Sequence, residues 1–223
     1  MLLWRALECA LLFVVCPIGL ATLRRRVNPI PILLIVASIV TLILMRDRTF
    51  DFAALASFPQ PLRHLGNIAL LLPIGAAGLF GLLSYMAPQD RFKLIRKKPR
   101  VWVTVMVLYP LLSVIPQTII YRVFFMHRYQ ALFGSGALML AAATLAFGLG
   151  HIIFRQPLPV LLTTVGGLLF AWRYMATGSA GYSAIEHALY GNLAFTIGFS
   201  RYLYHASTRT AESLVGADAP KVH

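Results

Sequence analysis

The strongest constraint in this sequence is its series of long apolar runs with almost no charge inside them. A helix crosses a bilayer with about 20 mostly apolar residues. Seven segments meet or approach that length, at roughly residues 6–23, 30–45, 66–87, 101–121, 135–153, 158–175 and 182–203. The expected fold class is therefore all-α, a polytopic membrane protein of about seven transmembrane helices. Composition agrees, since 59% of the residues are hydrophobic and 12% charged, against about 25% charged in soluble domains.

The charge balance is lopsided, with 20 Lys and Arg against 7 Asp and Glu. A nucleic-acid binder places its cations on a solvated surface. Here they sit between apolar blocks, which argues for contact with anionic lipid and against nucleic acid as a partner. Arg24, Arg25 and Arg26 form one cluster, and RFKLIRKKPR at 91–100 forms another. Two spans separate them, so both lie on one face, which the positive-inside rule makes cytoplasmic. The N-terminus is then outside and the C-terminus inside. The first apolar run precedes its arginines and lacks an A-x-A-like site, so it reads as a retained span. Cys9 and Cys16 lie about 10 Å apart along one helix, too far for a disulfide, and read as packing residues.

Ionisable groups inside spans are candidates for function because each costs about 2.5–3.5 kcal/mol at a helix centre. Glu8 lies near the start of the first span, close to an interface. Arg122, His151, Glu186 and His187 all fall in the last half of the chain and are expected to share one hydrated pocket. Phe147 and His151 are four residues apart on one helix face, as are Thr118 and Arg122. Pro110 and Pro116 remove backbone donors and predict a kinked fourth helix. Blander roles stay open: Arg122 as an interfacial snorkeller, Glu186 as a counter-ion for Arg122 or Arg173, and Tyr182, Tyr190 and Trp172 as interfacial belt residues. Two histidines alone fall short of the three protein ligands that a catalytic zinc takes. No HExxH, P-loop, GxSxG or CxxC occurs.

The polar residues, in this order, resemble the CPBP family of intramembrane proteases, the CAAX proteases and bacteriocin-processing enzymes. That family carries EExxxR, then FxxxH, then HxxxN. FGLGH at 147–151 matches the second pattern, Arg122 ends the first, and His187 opens the third. The two glutamate positions hold Gln117 and Thr118. The asparagine position holds Gly191, with Asn192 one residue later. The resemblance covers about residues 101–203 and implies a helical core at 101–204, preceded by helices and a basic loop at 1–100 and followed by a polar tail at 205–223.

By this resemblance the chain is an intramembrane metalloendopeptidase acting on peptides or membrane proteins, with prenylated C-a-a-X proteins as the eukaryotic substrates. His151 and His187 would bind a divalent metal such as zinc or stabilise an oxyanion. Arg122 would orient the site, with Gln117, Thr118 and Asn192 at the remaining motif positions. Without the glutamates the base is missing, and Glu186 is the nearest replacement. The alternative is a non-catalytic scaffold that binds lipid-modified peptides or partner spans. A transporter is disfavoured by the lack of an internal repeat. A bacterial inner membrane is the expected location. In a serpentine arrangement His151 and His187 lie toward opposite faces, so they meet only if their helices are short, tilted or offset.

Overall fold

The computed structural model describes residues 1–22 and 28–203. The arginine cluster at 24–26 and the tail from 204 lie outside these residues. Seven long helices run in sequence: α1 (Leu2–Thr22), α2 (Pro29–Arg46), α3 (Pro61–Met86), α4 (Pro99–Arg128), α5 (Ala137–Phe154), α6 (Pro157–Thr177) and α7 (Ala180–Ile197). Among the described residues there is no strand. The first six are long and apolar enough to cross a membrane, so the chain is a multi-pass integral membrane protein. The seventh carries Glu186, His187 and Asn192, too much polarity for that description, and it buries its polar groups Glu186 and His187 against the other helices. Its side chains meet α3, α4 and α6, and Tyr182, Ser183, Glu186 and His187 are buried.

Local chemistry sets the helix ends. Pro29, Pro61, Pro99 and Pro157 each occupy a first helical position, where the missing N–H is unpaired in any case. Asn28 caps α2 by accepting from the Ile30 N–H at 3.1 Å. Gly178 (φ +64°) ends α6 in the left-handed region, and Ser179 then caps α7.

Two boundaries differ from expectation. Helix α3 starts at Pro61, taking in Arg63 and His64, because the proline pre-sets the first turn. Helix α4 runs on to Arg128. Arg122 therefore sits a turn and a half inside a helix, only 1% exposed, and is no interfacial snorkeller. The aromatic run after it packs inward, with Phe124 and Phe125 buried.

The expected irregularity of α4 takes the form of two wide i→i+5 turns, at Pro110–Val114 and Ile119–Phe124. Pro110 cannot bond to the Met106 carbonyl one turn back, and Asn192 of α7 takes that carbonyl instead at 3.1 Å. The lost donor thus becomes a helix–helix contact.

Polar ties join the ends of the bundle. Glu8 receives Arg128 at 2.8 and 3.0 Å and Tyr129 Oη at 3.1 Å, so it anchors α1 to α4 and is not merely solvated at an interface. His127 pairs with Asp47 at 3.0 Å. Thr49 and His127 together hold the Asp47 carboxyl below the usual carboxylate range. Tyr182 donates to the Pro59 carbonyl at 3.0 Å, and its complete burial removes it from any lipid belt. Trp172 stays exposed. Both cysteines are free, Cys16 exposed at the helix surface.

Candidate functional site

The wide turns of α4 have a geometric consequence. In a regular α-helix residues advance about 100°, so steps of four residues drift about 40° each. Tyr109, Ser113, Gln117 and Tyr121 follow such steps, and a regular helix would carry them about 120° around. Turns holding more residues offset that drift. All four side chains face one cavity of about 1270 Å³, which is otherwise lined mainly by aliphatic and aromatic groups of α1, α2, α3, α6 and α7.

His151 and His187 line the same cavity, despite starting from opposite faces. Phe147 joins them, its ring centroid 4.7 Å from His151 and 5.5 Å from His187, edge-on to both. Small residues permit this approach: a Cβ at Gly167 of α6 would lie 2.8 Å from the Phe147 ring, and one at Gly150 would lie 2.2 Å from Tyr121 Oη. His187 also stacks on Phe170 at 4.6 Å and 18°. His151 Nδ1 bonds the Phe147 carbonyl at 2.7 Å, and His187 Nε2 meets Tyr109 Oη at 3.1 Å.

Arg122 lies behind this wall with its guanidinium 4.0 Å from the Phe147 ring centroid and 5.6 Å from that of Phe170. A desolvated cation over an aromatic face gains about 2 kcal/mol. Both terminal nitrogens are buried with no hydrogen-bond partner among the described residues, as are Thr118 Oγ1, Gln117 Oε1 and His187 Nδ1. Gln117 turns its amide nitrogen to Ser113 Oγ at 2.8 Å. A buried arginine beside several unpaired polar atoms marks the absence of a carboxylate, since buried charges are ordinarily paired.

Glu186 does not fill that place. It lies on another side of α7, gripped by Arg173 through Nε–Oε2 at 2.9 Å and NH2–Oε1 at 3.0 Å, both side chains buried. Of the four groups expected to converge, Arg122, His151 and His187 gather around Phe147, while Glu186 belongs to the α6–α7 interface. Asn192 likewise faces α4 through Met106 and not the cavity.

The donors do not fit a zinc ion. The two imidazoles pack edge-on against the Phe147 ring that lies between them. Among the described residues no three His, Cys, Asp or Glu side chains come together as a metal site would need. The unpaired Arg122 cation adds a repulsive neighbour.

Residues 99–193 match the family described as Rce1-like, type II CAAX prenyl endopeptidase. Over that stretch the chain is similar to this family. The match takes in α4, α5, α6 and most of α7, the helices that build the Phe147 cluster, and it agrees with the resemblance carried by Arg122, FGLGH and His187. No curated protein and no solved structure matches the chain. Tyr109, Ser113, Tyr121 and Phe170 are site residues that the motif patterns did not mark. The sequence signal for Tyr109, Ser113 and Tyr121 was the four-residue spacing of polar groups on an apolar helix, meaningful only once the wide turns are known; Phe170 carried none.

Proposed function

We propose that this protein holds a lipid-modified peptide in its membrane cavity and hydrolyses it poorly or not at all. One observation carries the reading. Gln117 and Thr118 stand where two glutamates would, and among the described residues the Arg122 guanidinium beside them has no anionic partner. Neither an amide nor an unaided hydroxyl takes a proton from water near neutral pH, and loss of a general base costs about 10²–10⁴-fold in rate. Glu186, bound by Arg173, is poorly placed to replace it.

The cavity retains what binding needs. It is large and mostly apolar with a few convergent polar groups, the usual make-up of a ligand site. Its aliphatic walls suit an isoprenoid or acyl chain, and the Tyr109–Tyr121 stripe with the histidines suits the peptide. The basic segment 91–100 lies at the end of the bundle where α3 ends and α4 begins, and the positive-inside rule favours the cytoplasmic side for that end.

The test is a binding and cleavage assay with the protein in lipid nanodiscs and a prenylated C-a-a-X peptide. Saturable binding with the peptide recovered intact supports the proposal. Efficient turnover by the wild-type protein, or a lack of any binding, contradicts it.

A further inference from the structure

Position 191 is glycine where the HxxxN pattern has asparagine, and its surroundings explain the exchange. A Cβ at Gly191 would lie 2.3 Å from Tyr109 Oη, 2.3 Å from its Cε1 and 2.5 Å from its Cζ. The tyrosine of α4 thus occupies the volume into which a side chain at 191 would project. From there its hydroxyl reaches His187, one turn earlier on α7, at 3.1 Å. The ring is held edge-on by Phe195 at 5.2 Å. Asn192 cannot take the role, because its amide nitrogen is spent on Met106.

The proton arrangement follows from which atom lacks a partner. His187 Nδ1 is buried and unbonded. An orphaned buried N–H is rarer and more costly than an unused acceptor. The tautomer that avoids one carries its proton on Nε2 and donates it to Tyr109 Oη. The phenolic O–H is then released to donate into the cavity that both residues line.

We propose that Tyr109, seated in the side-chain space of position 191, is a binding residue whose hydroxyl, oriented by His187, donates to a carbonyl oxygen of the bound peptide. This deepens the binding role proposed above by naming the recognised group. It makes Tyr109 and Gly191 a matched pair: bulk at one requires its removal from the other.

The experiment combines ¹⁵N-histidine NMR with peptide binding, on the full chain in nanodiscs, with His187 assigned from a His187→Gln spectrum. Wild type is expected to show His187 as the Nε2–H tautomer. Tyr109→Phe keeps the ring in place, shifts the His187 nitrogen signals and weakens a prenylated C-a-a-X peptide about 2- to 13-fold, the effect of one hydrogen bond. Gly191→Asn alone destabilises the fold, whereas Tyr109→Ala with Gly191→Asn recovers stability relative to Gly191→Asn. An Nδ1–H tautomer, His187 signals unchanged in Tyr109→Phe, or Gly191→Asn folding as stably as wild type overturns the inference. These spectra and stabilities need no ligand, so they decide the pairing even where wild type fails to bind peptide, a failure that would instead defeat the proposed function.

Discussion

Arg173 on α6 and Glu186 on α7 are joined by two parallel hydrogen bonds, 2.9 and 3.0 Å long, with both side chains buried. The pair closes the hairpin between the two helices. Removing one partner from such a pair strands a buried charge and costs about 3–5 kcal/mol, whereas replacing both with apolar groups is often close to neutral. Glu186→Gln and Arg173→Met should each lower the thermal unfolding midpoint markedly. The double variant Arg173→Met with Glu186→Leu should recover most of the loss. Peptide affinity measured well below the transition should change little in all three, because the pair lies outside the cavity.

Phe147 is the contact shared by Arg122, His151 and His187. Gly167→Ala would push a methyl group against it. Overpacking of this kind costs about 1–3 kcal/mol, and here it also displaces the ring that aligns the histidines. The expected result is a moderate fall in stability together with weaker peptide binding. By contrast, a Cβ at Gly81, outside the cavity lining, meets no atom within 4 Å, so Gly81→Ala should leave binding unchanged and should not lower stability.

Metal removal is expected to have no effect. Incubation with a strong chelator should alter neither the unfolding midpoint nor peptide affinity, and metal analysis of His151→Ala should equal that of wild type. A stoichiometric metal lost in that variant would contradict the donor geometry described here.

Asp90 predicts one acid-sensitive contact outside the membrane. Its carboxylate receives Arg201 at 2.8 Å and Lys93 at 2.9 Å. The Arg201 hydrogen bond, more than the lysine, holds it below the usual carboxylate range. Since the folded value lies under the unfolded value of about 3.9, the unfolded chain binds the proton first as pH falls. The contribution is complete above about pH 4–5 and disappears as pH drops through the folded value. Arg201 and Lys93 are half-exposed, which keeps the effect small. Unfolding midpoints from pH 6 to pH 3 should fall more steeply for wild type than for Asp90→Asn.

The spans were legible because apolar length is a strong signal, and so was the gathering of Arg122, His151 and His187, because polarity inside a membrane has few innocuous explanations. The place of Glu186 was not legible. Sequence offered Arg122 and Arg173 as equal partners, and only the rotation of α7 against α6 decides between them. The extent of α4 past Arg122 was hidden because FFMHR has the composition of an interface while its rings turn inward. The tension between His151 and His187 is resolved by Phe147 bridging the offset, helped by Gly150 and Gly167, whose value lies in what they leave empty.

The central claim is that the missing carboxylates at positions 117 and 118 are what limits catalysis at this site. The most direct measurement compares cleavage of a prenylated C-a-a-X peptide by wild type and by Gln117→Glu with Thr118→Glu, in nanodiscs and with chelator present. The account predicts binding by both and cleavage faster by about 10²–10⁴-fold in the double variant, as the new carboxylates pair with Arg122 and activate water. Equal cleavage by the two proteins would contradict it.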